Sequence, residues 1–214
     1  LDVIPVKEYK LPKYKPFETT LEDKTIMDIH SSFVADDKIK LALNGTNFNL
    51  DGVVSTNTHI LLFTKYRGEY KKDIGTYCYT KKCLEKFTEN EFDDKYHKFP
   101  NWEAVIPYSF PFKFTINAEA LYDYCENMLN LQIAPIANMI VIQYLGDDGN
   151  HELVGYNAKF LKTVLQAMSR LGHKELEIGI ISDKKASLIY PAGKSGNINS
   201  VSSDKTDFCL LMPM

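Results

Sequence analysis

A few stretches of this 214-residue chain carry side chains that could do chemistry. His59 follows a run of hydroxyls and an amide, Ser55-Thr56-Asn57-Thr58. An imidazole beside a Ser or Thr is the beginning of a base–nucleophile pair. The run shows no nucleophile elbow and no evident third member, so a histidine at a turn on a groove rim is the stronger reading. Cys78 and Cys83, with His97, could offer thiolates and an imidazole to zinc. Their spacing is loose for such a site, and no second close pair completes four ligands. Asp147-Asp148-Gly149-Asn150 has the acids of a calcium loop but not the glutamate that closes one, and reads as a hairpin turn. No Gly-rich phosphate loop occurs. The residue types therefore point to no catalysis, no metal and no cofactor.

Two basic stripes remain. Lys159, Lys162, Gln166 and Arg170 recur every three or four residues, opposite an apolar stripe in the same segment. Lys81, Lys82 and Lys86 crowd a second short segment. Stripes of this kind either meet phosphates without sequence preference or simply solvate a helix face. The formal net charge of −3 lacks the basic excess of a dedicated nucleic-acid coat protein. Glu119, Asp123 and Glu126 on one expected helix, and Glu22, Asp23 and Asp28 on another, would repel a phosphate backbone. With 44% hydrophobic and 25% charged residues, the composition is that of a soluble globular protein. Four scattered cysteines lack the pattern of a disulfide framework and fit a cytoplasmic protein. No apolar run approaches the roughly 20 residues of a membrane span, so no membrane partner is expected.

The elements that must position these groups follow from periodicity. Residues 1–20 hold Pro5, Pro12 and Pro16 and read as an extended arm. Thr20 is placed to cap a helix with Ile26, Met27, Ile29, His30 and Phe33 on its apolar side. Ile39, Leu41 and Leu43 alternate as in a strand, and Val53-Val54 and Ile60 to Phe63 read as two more. Thr80 to Phe87 reads as a short second helix, and residues 88–98 as a charged loop. The order then starts again. Phe112, Phe114 and Ile116 alternate, and Asn117 caps a helix through Leu131. Met139 to Leu145 and His151 to Tyr156 form a hairpin, and Asn157 caps a helix that Gly172 closes. Leu176 to Ile181, Ala186 to Tyr190 and Phe208 to Met212 are strands, with a Gly- and Ser-rich loop over Pro191 to Thr206.

Between the halves lies Phe99-Pro100-Asn101-Trp102-Glu103-Ala104-Val105-Ile106-Pro107, with the only Trp. A Pro near each end predicts an extended connector. Its apolar content predicts that it lies packed between two bodies, with Leu210 to Met214 close by and Trp102 anchored in a core.

Four motifs in order resemble the bacterial sliding clamp, the β subunit of the replicative DNA polymerase III. They are Leu43-Asn44-Gly45 with Phe48, Val54-Ser55-Thr56-Asn57-Thr58-His59-Ile60-Leu61, the connector Phe99 to Pro107, and the ending Leu211-Met212-Pro213-Met214. They are similar to the family's "LNG" strand, its "VATDGHRLA" signature, its "FPDYxxVxP" joint and its "MPM" ending. The resemblance covers most of residues 20–214 and implies an α+β fold of two tandem clamp-like domains. Each would be a β-sheet body with two helices, over residues 1–106 and 107–214. They would correspond to the family's middle domain, shortened after its second helix, and its C-terminal domain.

The resemblance implies a non-catalytic replication or processivity factor that tethers polymerases or repair proteins through a hydrophobic peptide cleft. Carried over by motif, that cleft comprises Leu43, Thr56, Thr58, His59, Leu61, Pro100, Val105, Leu210, Met212, Pro213 and Met214. Duplex DNA would be a non-specific partner, met by Lys81, Lys82, Lys86, Lys159, Lys162 and Arg170, and the chain would form a homo-oligomer. Three copies of two domains would make a six-domain ring. Two departures are plain. The family's Gly-His-Arg is Thr58-His59-Ile60 here, which removes a basic rim residue, and the first half is short. The acidic helices and the shortened first half favour the alternative of a clamp-derived interaction module that does not encircle DNA.

Overall fold

Side chains that alternate along a strand must bury two faces or expose one. Here the central strands bury both. The computed structural model describes residues 21–37, 40–66, 74–80, 83–86, 98–107, 109–130, 138–146, 149–194 and 205–214. The expected arm over 1–20 with its Thr20 cap, residues 88–97 of the charged loop, and residues 195–204 of the Gly- and Ser-rich loop lie outside these.

The first half holds α1 (Leu21–His30), β1 (Thr46–Phe48), β2 (Gly52–Thr56), β3 (Ile60–Lys65), β4 (Gly75–Thr80) and β5 (Cys83–Lys86). The second half holds β6 (Phe112–Asn117), α2 (Ala118–Asn130), β7 (Met139–Leu145), β8 (His151–Asn157), α3 (Ala158–Arg170), β9 (Glu175–Ile180), β10 (Ser187–Pro191) and β11 (Phe208–Leu211). Nine of these strands form one antiparallel sheet, in the order β5-β4-β1-β2-β3-β11-β10-β9-β6, and β7 pairs with β8 apart from it. The mixed α+β architecture is as the sequence predicts.

Three local expectations fail, each for a visible reason. Thr80 to Phe87 is not helical. Thr80 ends β4 and Cys83–Lys86 is β5, paired from Tyr77↔Lys86 to Thr80↔Cys83. The β4 strand is held by β1, with Phe48↔Gly75 and Thr46↔Tyr77, and this pairing overrides a weak helical pattern. The first half therefore has one α-helix among the described residues, not two. The strand expected over Ile39 to Leu43 is instead a 3-10 turn, Leu41–Asn44. Asn44 closes that turn, its amide accepting from Asp37 N at 2.8 Å and donating to Asp37 O at 2.8 Å. The connector is not extended throughout. Trp102–Val105 is a 3-10 turn, with Pro100 and Pro107 acting only on its flanks.

The helices form a layer on one face of the sheet. Ile60, Leu62, Leu176, Ile178, Ile180, Ile189, Cys209 and Leu211 face it, against Ile29, Phe33, Cys125, Leu161, Val164, Leu165 and Met168. Each fully buried aliphatic side chain of this set contributes about 2 kcal/mol by removal from water. The Asn caps are as predicted. Asn117 Oδ1 accepts from Ala120 N at 3.0 Å, and Asn157 Oδ1 from Lys159 N at 2.9 Å. Gly172 has φ +91°, and the bonds Gly172 N to Ser169 O and His173 N to Met168 O complete a Schellman stop after α3.

A polar knot sits inside the first half. His30 is fully buried, with Nδ1 2.9 Å from Ser55 Oγ and Nε2 2.9 Å from Thr64 Oγ1. Ser55 Oγ in turn lies 2.8 Å from Thr46 Oγ1. One ring nitrogen donates and the other accepts, so the neutral imidazole satisfies α1, β2 and β3 together. Burial pushes the His30 pKa down to about 3.

The loop between β2 and β3 is Asn57-Thr58-His59. Asn57 Oδ1 accepts from His59 N and Ile60 N, both at 3.0 Å. The Thr56 hydroxyl accepts from Thr58 N at 3.1 Å and donates to Ile60 O at 2.8 Å. This side-chain scaffold holds Thr58 at φ +77°, a left-handed conformation that a β-branched residue adopts only under strain.

Two outcomes follow. Replacing His30 by Gln or Ala orphans buried hydroxyls and should cost about 3 kcal/mol in urea denaturation at pH 7. Between pH 6.5 and 3 the unfolded chain takes a proton at His30 that the folded chain refuses. Stability from this group is therefore full above pH 6.5 and is lost as pH falls, by up to about 1.4 kcal/mol per unit. The His30→Gln variant should lack that slope between pH 6.5 and 5.5. Separately, Thr58→Gly should raise stability by up to about 1 kcal/mol, whereas Thr58→Ala keeps the strain and should not.

Candidate functional site

The seam between halves is the pairing of β3 with β11. Ile60↔Leu211, Leu61↔Leu210, Leu62↔Cys209 and Phe63↔Phe208 are in register. The face of this seam away from the helices carries Val54, Leu61, Phe63, Leu188, Tyr190, Phe208 and Leu210. The connector covers it. Trp102, 8% exposed, stacks on Phe63 at 5.4 Å and tilts against Phe208 at 6.3 Å. Trp102 is thus anchored in a core, as expected of it.

Lys205 seals the other end of the connector. It is buried, its Nζ lies 2.8 Å from Asp51 Oδ2, and it stands 5.2 Å above both the Phe63 and Trp102 rings. A desolvated ammonium needs such a partner, and the ring faces add attraction. Glu103 approaches the same ammonium at 3.7 Å. Beside it, the carboxylate of Asp207 accepts from Lys65 N at 2.9 Å and faces His173 Nε2 at 2.7 Å.

Where the connector leaves the sheet uncovered, a cleft of about 530 Å³ opens. It is lined by Leu43, Thr56, Thr58, His59, Leu61, Pro100, Val105, Leu210 and Met212, nine of the eleven residues picked out from the motifs. Pro213 and Met214 are not among its lining. Instead the tail continues outward, with Met212 N donating to His59 O and Met214 N to Gly155 O, both at 2.9 Å. The sequence reasoning missed Lys40, Ala42, Ile60, Lys98, Asn101, Trp102 and Ala186, which also line the cleft. Trp102 was placed in the core and does both. Lys40 and Lys98 gave no signal, because a lone surface lysine has no periodicity to read.

The cleft's lining is mainly apolar. Its floor is aliphatic, with Val105 57% and the thioether of Met212 39% exposed at the mouth. Met and Leu side chains of this kind adapt to varied apolar guests. The His59 ring stacks on Phe160 at 5.1 Å, with 17° between planes. Two hydroxyls of its run are engaged elsewhere: Ser55 belongs to the His30 knot and Thr56 to the loop. No group of three or more potential metal ligands occurs among the described residues. Cys78 and Cys83 lie on adjacent strands, with Cys78 opposite Glu85, while His97 lies outside the described residues.

The six DNA-contact candidates fall differently. Lys81 and Lys82 lie outside the described residues, and Lys86 ends β5 and not a helix. Lys159 is exposed on α3. Lys162 Nζ donates to Glu126 Oε1 of α2 at 2.8 Å, which raises its pKa. Arg170 is bound to Asp28 of α1. Two cations of the α3 stripe thus tie α3 to its neighbours. No helix among the described residues is long and apolar enough to cross a membrane.

No protein-family profile and no curated protein matches the sequence. Solved structures do match. The DNA polymerase III beta chain of Streptococcus pneumoniae superposes with a TM-score of 0.65 at 13% identity, over 99% of this chain and 68% of that one. The DNA polymerase sliding clamp of Bacillus subtilis gives 0.65 at 12%, over 97% and 67%. The DNA polymerase III subunit beta of Borrelia burgdorferi, in complex with a natural product, gives 0.61 at 17%, over 97% and 65%. At these identities the likeness is one of fold: the chain has the fold of the bacterial DNA polymerase III β sliding clamps, over about two thirds of their length.

Proposed function

We propose that this chain is a non-catalytic, clamp-like tethering protein that captures short apolar peptide segments of polymerases or other replication and repair factors. One observation carries this reading. Residues from four separated segments, chosen by motif, converge on one apolar cleft at the joint between halves. The division into residues 1–106 and 107–214 belongs to the same reading, with the cleft at the junction. Tethering needs no chemistry at the site. It needs a groove that excludes water around two or three anchor side chains, and an exposed polar rim that fixes their direction.

Whether the chain also encircles duplex DNA is a second matter. The acids of α1 and α2 that engage Lys162 and Arg170 favour the non-encircling module. In the encircling form, a homo-oligomer would close around the duplex and α3 would face it.

The cleft reading is tested with a synthetic peptide carrying a bacterial polymerase's clamp-binding sequence. Val105→Asp and Met212→Asp change exposed side chains, so melting temperatures should hold while affinity falls at least tenfold by calorimetry. Unchanged affinity in both variants would sink the proposal. Encirclement is read from plasmid DNA by gel filtration at 300 mM salt. Retention on the circle that linearisation abolishes supports a ring. Binding that salt removes from both forms alike supports the module.

A further inference from the structure

The second half repeats one unit within itself, and the two copies of that unit end differently. β6 leads into α2 and β8 into α3, each through an asparagine that caps the helix, Asn117 and Asn157. The strand after each helix crosses to the other unit. β9 pairs with β6 starting at Asn117↔Glu175, and β7 pairs with β8 starting at Met139↔Asn157. β7 is therefore the counterpart of β9. Along its second edge β9 has β10, from Pro191↔Leu176 to Leu188↔Gly179. β7 has no second neighbour among the described residues. Leu145 and His151 are joined by residues 146–150 alone, too few for a further strand and its turns. The hairpin's other edge is engaged at Gly155, whose carbonyl accepts from Met214 N at 2.9 Å.

The difference shows in burial. The helix-facing residues of β7, Ile140, Ile142 and Tyr144, stand where β9 has Leu176, Ile178 and Ile180. Those three are sealed, whereas Ile142 is only partly buried. On the outer face Met139, Val141 and Leu145 of β7 and Leu153 of β8 are all exposed. Met139 lies over Gly155, where a Cβ would come within 2.8 Å of its sulfur. Native sheets defend such an edge with lysine, proline or a bulge. β7 carries no charge and no proline, and its register with β8 runs unbroken from Met139 to Leu145. The chain's net charge of −3 opposes self-association, but none of it sits on this strand.

We infer that two copies of this chain associate through β7, which runs antiparallel to β7 of the second copy about a two-fold axis at Ile142. In that register Met139 lies opposite Leu145, Val141 opposite Gln143 and Ile140 opposite Tyr144 of the second copy. Outer face then meets outer face and inner meets inner, and a four-stranded sheet covers the open side of Ile142. A second copy brings a strand that matches β7 in length, in lack of charge and in side chains across the axis. Such a contact is self-complementary and closes at two copies, unlike a head-to-tail ring. No residue of β7 or β8 lines the cleft, so the inference is independent of the peptide reading.

One strand edge and four exposed apolar side chains fall short of the roughly 800 Å² per partner of a standard interface, so the pair should dissociate with a Kd of about 10 to 100 μM. Sedimentation velocity of the full chain from about 2 to 400 μM should show monomer giving way to dimer. Amide exchange within residues 139–145 should slow over the same range. Val141→Lys places an ammonium at an exposed position of each copy. It should keep the native melting temperature at low concentration and raise Kd at least about tenfold, whereas the uncharged Val141→Thr should change it less than about threefold. Peptide affinity at the cleft should be the same in both variants and the native chain. A monomer throughout the range overturns the inference and leaves the edge to a strand of a different protein. A mass of three or more copies overturns it, as does a dimer that Val141→Lys leaves equally tight or whose formation does not protect residues 139–145. None of these outcomes touches the cleft reading.

Discussion

The β3–β11 pairing is the constraint on which the rest depends. Its register puts Ile60, Leu62, Cys209 and Leu211 under the helices, and Leu61, Phe63, Phe208 and Leu210 under the connector. Because side chains alternate with a period of two, a slip of one residue in one strand would exchange its two sets. The helix layer would lose its aliphatic floor at that strand, and the connector would lose the Phe63–Trp102 stack. The cleft depends on the same register. Thr56 to Leu61 and Leu210 to Met212 are neighbours there only because the two strand ends meet, a contact that Met212 N extends by bonding His59 O. The cleft is thus a by-product of joining two halves in one sheet.

Polar groups defend that register. Asp207 stands one residue before β11 and holds Lys65, the last residue of β3, through its backbone N–H. Lys205, two residues earlier, is fixed by Asp51 and by two aromatic rings. Both anchors are nearly inaccessible to water, so leaving either unpaired would cost the full desolvation of a charge. Apolar alternation alone tolerates several strand pairings of similar burial. Two buried charges with one set of partners each tolerate far fewer. At the opposite end of the seam the strained Thr58 loop sets where β2 turns back, and so where the cleft wall ends.

Much of this could be read from residues. Period-two runs with no competing signal, such as Phe112 to Ile116 and Met139 to Leu145, became strands as expected. Asn117, Asn157 and Gly172 punctuated helices as their chemistry predicts. The failures share a cause. Leu41–Asn44, Trp102–Val105 and Cys83–Lys86 are four residues each, too short for periodicity to separate a turn from a strand or helix. Their conformation is settled by remote partners: Asp37 for Asn44, Phe63 for Trp102, and β1 acting through β4 for β5. The cleft was legible because its walls come from ordered motifs. Its two lysines were not, because Lys40 and Lys98 are 58 positions apart and become neighbours of one cavity only through the fold.

The helix layer carries a different electrostatic argument. Lys162 and Arg170 are each held by an acid on an adjacent helix, with Asp28 65% exposed. Exposed pairs of this kind contribute at most about 1 kcal/mol, so a phosphate could displace one at little cost. What a phosphate cannot remove is the acid it displaces. Asp28 and Glu126 stay within a Debye length of about 8 Å of the cations they release, and Glu119 and Asp123 add to the same layer. Net attraction to a duplex is then small wherever α1, α2 and α3 lie together. A face of this composition would not hold DNA by affinity. If the chain keeps a duplex, enclosure and not attraction must keep it.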